Sequence, residues 1–208
     1  MARNVFISFR YKDGYMYKDE LANLFDKNKD TIDFSEDQDR SGLSDDSIRK
    51  YLFGKLKRAS VTIILLTPMA INYFKNYGQY DDWIYDEVRY SLEDREGNAT
   101  NGLVAVYVKE AEQHIIGECY HLRSDSTGRK LIETFPGIKQ FDNLAYKNML
   151  NVKPEYKTER REKLFDSNLD SYCSLVAYDD FKNNIGYYVD LAFKKRNELY
   201  KYNIVKRL

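Results

Sequence analysis

The run SVTIILLT at residues 60–67 constrains this chain more than any other stretch. It is apolar at consecutive positions without alternation, the pattern of a strand covered on both faces in a parallel sheet. Two other runs share that character: NVFISF at 4–9, stopped by the polar Arg10-Tyr11-Lys12-Asp13-Gly14, and GLVAVYV at 102–108. TIDF at 31–34 is a weaker strand. The intervening spacing predicts helices. Tyr17, Leu21, Leu24 and Phe25 recur at helical intervals in a segment that ends near Asn28. Ser44 reads as an N-cap ahead of Asp45 and Asp46, with Ile48, Tyr51, Leu52 and Leu56 as the buried stripe and Lys55, Lys57 and Arg58 toward the end. Ile84, Val88 and Leu92 mark a helix over about 82–93. The order β-α-β-α-β-α-β predicts an α/β fold, an open and doubly wound parallel sheet with right-handed crossovers.

Beyond residue 109 the periodicity fades until about residue 168, with turn signals at 124–128, at Pro136-Gly137 and at Pro154. That is too long for a structureless loop, so short elements are expected inside it. A last strand is expected at 175–178 and a final amphipathic helix on Ile185, Tyr188, Val189, Ala192, Arg196 and Leu199. The expected organisation is a core over 1–110, an insertion or pocket-shaping extension over 111–170, and a last strand and C-terminal helix over 171–208 that complete the same domain.

The chain has 208 residues with 33 Lys+Arg against 33 Asp+Glu, a formal net charge of +0, so nothing global draws it to nucleic acid or an anionic membrane. Its 43% hydrophobic residues exclude disorder. Cys119 and Cys173 are too few for a disulfide framework, which points to reduced thiols and a cytoplasmic setting. No apolar run is long enough for a signal peptide or a membrane span. Nineteen tyrosines let a chain with 32% charged residues still bury apolar area.

In a doubly wound sheet the ligand crevice lies beyond the carboxyl ends of the strands where their order reverses, between the first and third strands in the flavodoxin-like order. That rule singles out Ser8, Phe9, Arg10 and Tyr11, the polar loop at 35–42, and Thr67-Pro68. Trp83 and Glu87 stand four residues apart on one helical face beside the stripe of Ile84 and Val88. A carboxylate beside an indole is placed to meet a cation that develops in a crevice. Each residue also has a plain reading: Glu87 as helix surface, Trp83 as a core anchor, Ser8 and Phe9 as the end of a buried strand, Arg10 as loop solvation.

Other chemistries are poorly supplied. Asp37 and Asp39 lack the ligands and glycine of a calcium loop, and His114, Cys119 and His121 have no fourth ligand at zinc-site spacing, so no metal is expected. There is no Gly-rich dinucleotide loop or Walker sequence. A phosphoacceptor receiver needs an acidic cluster after the first strand, where Ser8-Phe9-Arg10 stands instead. Lys157 to Lys163, interrupted by Glu159 and Glu162, reads as a solvated helix face, and Lys194-Lys195-Arg196 and Lys206-Arg207 read as helix-end charges that suit solvent or an acidic partner.

Taken in order, VFISFR, DFSEDQDRS, SVTIILLT and Trp83-x-x-x-Glu87 resemble a TIR domain, specifically the bacterial TIR-like branch exemplified by the Thoeris anti-phage defence subunit, over roughly residues 2 to 110. The motif of enzymatic TIR domains is Ser-x-Trp-Cys-x-x-Glu, and here Asp81 stands in place of Ser and Ile84 in place of Cys, while Trp83 and Glu87 match. The resemblance implies cleavage of NAD with release of nicotinamide, Glu87 as the catalytic carboxylate, and a dinucleotide pocket lined by Ser8, Phe9, Arg10, Ser35, Asp37, Arg40, Thr67 and Trp83. It implies no cofactor beyond NAD as substrate, a phage-derived trigger, self-association, and a separate effector activated by a diffusible ADP-ribose-derived nucleotide, cyclic or linear. A non-catalytic TIR-like interaction module is the alternative that the departures at Asp81 and Ile84 keep open.

Overall fold

Among the described residues, five parallel strands form the centre of the molecule, in the spatial order 31–33, 3–8, 61–66, 102–107 and 173–177. The computed structural model describes residues 3–27, 31–33, 45–71, 83–94, 99–124, 126–141, 143–158 and 164–208. The strands of the sheet are β1 (Arg3–Ser8), β2 (Thr31–Asp33), β3 (Val61–Leu66), β4 (Gly102–Tyr107) and β7 (Cys173–Ala177). Every residue of β3 is buried, as its uninterrupted apolar run requires. The strand order is the flavodoxin-like one, and it reverses between β1 and β3.

Helices cover both faces. Along the chain they are α1 (Tyr11–Lys27), α2 (Asp45–Leu56), the short α3 (Pro68–Ile71), α4 (Trp83–Leu92), the short α5 (Glu112–Ile115), α6 (Tyr178–Asn183) and α7 (Ile185–Arg196). Register pairs Phe6 with Thr62 and Ser8 with Ile64, so these four side chains point to one face. On that face Phe6 packs with Leu52, Leu56 and Ala59, and Phe53 stacks on Tyr90 with centroids 4.0 Å apart, which joins α2 to α4. On the opposite face α7 lies against the start of β4, where a Cβ on Gly102 would stand 2.1 Å from the Ala192 carbonyl oxygen. The Tyr178 hydroxyl donates to the Tyr17 carbonyl and to Glu20, each at 2.9 Å, and so ties α6 to α1. The Lys182 ammonium, 3.0 Å from Glu20, holds that carboxyl below the usual carboxylate range.

The extension after β4 has its own architecture. β5 (Ile116–Ser124) and β6 (Lys130–Ile138) form a two-stranded antiparallel ribbon, separate from the main sheet. It turns through Gly128, whose φ of 82° favours glycine. Pro136-Gly137, expected as a turn, lies inside β6. A two-stranded ribbon has only edge strands, where a proline's missing N–H is tolerated, and a Cβ on Gly137 would stand 2.0 Å from the Cys119 sulfur. Past the ribbon, buried polar side chains organise the chain. Asn148 donates to the Leu144 and Val205 carbonyls and accepts from the Val205 N–H, while the Asp170 carboxylate accepts from the Thr158 and Asp166 N–H groups.

α7 differs from expectation in its inward stripe, which is Ile185, Val189, Ala192 and Lys195, with Arg196 only half-buried. Lys195 is 2% exposed and donates to the Asn168 carbonyl and, at 2.6 Å, to the Ser174 hydroxyl. It is therefore an internal brace between α7 and β7 and not a charge offered to a partner. Residues 35–44, including Ser35, Asp37, Arg40 and the proposed cap Ser44, and residues 159–163 of the basic stretch lie outside the described residues. Among the described residues, no helix is long and apolar enough to cross a membrane.

Candidate active site

The carboxyl ends of β1 and β3 flank the point where strand order reverses, and α4 lies over them on the face that carries Phe6 and Ser8. Ile84, Val88 and Leu92 give α4 its apolar contact with the sheet, and Glu87 and Ser91 form the adjoining stripe, also turned inward. Glu87 is 6% exposed and Ser8 is completely buried. The Ser8 hydroxyl donates to Glu87 Oε2 at 2.5 Å across 79 residues of sequence. A carboxylate at this depth is tolerated where hydrogen bonds replace water, and a hydroxyl is a good donor to it.

The same stripe continues as a polar seam. The Ser91 hydroxyl lies 2.8 Å from both the Glu87 carbonyl and the Thr62 hydroxyl, and Asn101 donates to Thr62 Oγ1 at 3.3 Å. The Tyr172 hydroxyl closes the seam by donating to the Asn101 carbonyl at 2.7 Å. α4 is thus stitched to β1 through Glu87 and to β3 through Ser91, which fixes the height and rotation of the helix that carries the carboxylate.

A second set of bonds shapes the loops above. Thr67, fully buried at the end of β3, donates its hydroxyl to Asp13 Oδ1 at 2.8 Å, and Asp13 Oδ2 accepts the Met69 N–H at 2.9 Å at the start of α3. Pro68 begins α3, where its missing N–H is harmless. Gly14 lets the first turn of α1 approach Phe9, since a Cβ there would meet the Phe9 ring at 3.3 Å, and its N–H donates to the Arg10 carbonyl at 2.7 Å. Phe9, Tyr11 and Tyr15 form a row of rings with centroids 6.3 and 5.1 Å apart. Tyr11 and Tyr15 are 47% and 39% exposed.

The structure therefore brings Ser8 and Glu87 together, sets Phe9 and Arg10 half-buried just beyond β1, and places Thr67 beneath the loop after β3. Trp83 is the first residue of α4. Asp13 and Tyr15 were not singled out from sequence for the site, whereas Tyr11 was, by its place after the first strand. The helical spacing of Tyr11 and Tyr15, which starts at the carboxyl end of a strand, is the signal that identifies the ring row.

Burial pushes Lys195 down to about 7 and the Cys173 thiol up to about 12. Both lie on the β7 side of the sheet, paired with structural partners. Among the described residues, no group of three or more His, Cys, Asp or Glu is placed to hold a metal ion.

A family model described as "Thoeris protein ThsB, TIR-like domain" matches residues 6–113, from within β1 to α5. The chain belongs to the Thoeris TIR-like family. A search of curated proteins returned no match. The match spans Ser8, Asp13, Thr67 and Glu87, while Tyr172, which closes the polar seam, lies beyond it. The β5–β6 ribbon, β7 and α7 follow the matched stretch. Membership places the protein in Thoeris defence, a system with further components.

Proposed function

We propose that this Thoeris TIR-like domain cleaves the bond between nicotinamide and ribose in NAD, with Glu87 as the catalytic carboxylate. The observation that carries the reading is the Ser8–Glu87 hydrogen bond at the carboxyl end of β1, beside the reversal of strand order. It supports a preorganised anion at the floor of the crevice, in place of a glutamate in solvent.

The chemistry asks little more of the protein. The pyridinium nitrogen takes the electron pair of the breaking C–N bond and leaves as neutral nicotinamide, so no general acid is needed. Positive charge grows on the ribose, and a fixed carboxylate stabilises it more in the transition state than in the ground state. A nitrogen of the adenine, or water with loss of a proton, then captures the cation to give a cyclic or linear ADP-ribose product. The row of Phe9, Tyr11 and Tyr15 offers faces on which a planar base stacks. The product serves as a diffusible signal to a separate effector once a phage-derived trigger is present.

The depth of Glu87, 6% exposed with one oxygen engaged by Ser8, favours a second reading, a non-catalytic interaction module in which the pair is a structural anchor. One experiment separates the two. Purified protein, with and without extract of infected cells, is incubated with NAD and nicotinamide is quantified by mass spectrometry. Glu87→Gln keeps an acceptor for the Ser8 hydroxyl but removes the charge, and nicotinamide release is expected to fall by a factor on the order of a hundred or more. Release unchanged in Glu87→Gln overturns the enzymatic reading.

A further inference from the structure

The β5–β6 ribbon lies outside the stretch that defines the family and carries a face that one chain leaves bare. Register sets Glu118 opposite Pro136 in the row just beyond Ile116 and Ile138, Leu122 opposite Ile132 further out, and Lys130 in the last row before the turn. Tyr120 lies between Glu118 and Leu122 on the same face, since alternate residues of a strand share a side. Tyr120, Leu122 and Ile132 are 67%, 66% and 67% exposed, and Glu118, Pro136 and Lys130 are exposed as well. The ribbon is fastened to the body at its base, where the Lys139 N–H donates to the Ile115 carbonyl at 2.7 Å and its ammonium to the Gln113 carbonyl at 2.6 Å. A two-stranded ribbon is marginally stable in water unless a face is covered, and a contiguous apolar strip on a folded protein marks a contact surface.

We infer that this face docks onto the same face of a second copy of the chain, ribbon across ribbon, about a two-fold axis that sets the tip of each over the base of the other. Charge placement selects this occupant. The middle of the strip is uncharged and complementary to itself, while the base is acidic at Glu118 and the tip basic at Lys130. The two-fold arrangement brings Glu118 to the partner's Lys130, and symmetry makes that pair twice. The depression at the base, lined by Glu118, Thr134 and Pro136 among others, receives the tip of the other ribbon. Pro136 has no N–H to extend a ladder, so β6 is a poor edge for strand addition and contact is made through the face. Two such strips together bury on the order of 1,000 Å², the lower bound for a specific interface, which makes the dimer a reversible one.

The inference does not rest on NAD cleavage, and its test is the oligomeric state of the full chain. Analytical ultracentrifugation across the micromolar range is expected to show a monomer–dimer equilibrium, with thermal melting as the check on folding. Leu122→Lys is expected to weaken dimerisation by about a hundredfold. Glu118→Lys and Lys130→Glu are each expected to weaken it by about tenfold, and the double variant, which exchanges the two signs, to recover the wild-type dissociation constant. If Leu122→Lys disturbs folding, the charge series decides alone. A monomer at every concentration, which would leave the strip to a different partner, overturns the inference. So does a double variant that dimerises more weakly than either single one.

Discussion

A Cβ on Gly102 would lie 2.1 Å from the carbonyl oxygen of Ala192 and 2.4 Å from its carbonyl carbon, so α7 rests directly on the backbone where β4 begins. The obstructing atoms are main chain and cannot swing aside as a side-chain end would. Gly102→Ala must push the helix off the sheet, an overpacking cost of about 3 kcal/mol. For a domain of this size that lowers the melting temperature by roughly 6–12 °C. Gly54→Ala in α2 is the matched control, since nothing lies within 4 Å of a Cβ there, and it is expected to be neutral or mildly stabilising. Equal melting temperatures for the two variants would contradict the seating of α7 on Gly102.

The central sheet was legible because its inner strands are coded by unbroken apolar runs, and strands buried on both faces have no other way to be written. The residues at 61–66 and 102–107 pair along their whole length, as the two longest runs imply. The ribbon was illegible for the opposite reason. With one face bare it mixes charged and apolar residues, and Pro136-Gly137 imitates a turn. In α7 Ile185, Val189 and Ala192 were legible as the inward stripe, but the run Lys194-Lys195-Arg196 hid Lys195 as its last member, since a helix ending in three cations looks solvated whichever of them points inward. At the site, Trp83 and Glu87 announce a helical face, but the partner of Glu87 is 79 residues away on another element. Only the strand order brings Ser8 beneath it, so spacing finds the carboxylate and topology finds what holds it.

Ser8 is completely buried, so its effect on NAD turnover should pass through Glu87 and not through contact with the dinucleotide. Ser8→Ala removes the donor to Glu87 Oε2 while leaving the strand end otherwise intact. The expected result is a fall in kcat of about tenfold with KM nearly unchanged, and a stability loss of about 1–2 kcal/mol for a buried carboxylate deprived of a hydrogen bond. Ser8→Thr restores the hydroxyl at the expense of one methyl group and is expected to recover part of kcat. Steady-state nicotinamide release with a parallel urea titration checks both parts. A rise in KM at constant kcat would mean that Ser8 acts on binding, contrary to its position.

Lys195 should make stability depend on pH with a definite sign. Burial holds its folded-state pKa at about 7, below the 10.5 of an exposed lysine, so between these values the unfolded chain binds a proton that the folded chain lacks. Stability then rises with pH from about 7 toward 10.5, and below 7 the full penalty of a buried ammonium is in place. Lys195→Met abolishes this dependence and also loses the bonds to the Asn168 carbonyl and the Ser174 hydroxyl, a fixed offset that does not titrate. The difference in unfolding free energy, wild type minus variant, is therefore expected to grow toward alkaline pH by up to about 1.4 kcal/mol per pH unit. Urea unfolding of both proteins at a series of pH values measures it. A difference that stays flat across the interval would show that the two acceptors offset burial completely and that the ammonium remains charged inside the fold.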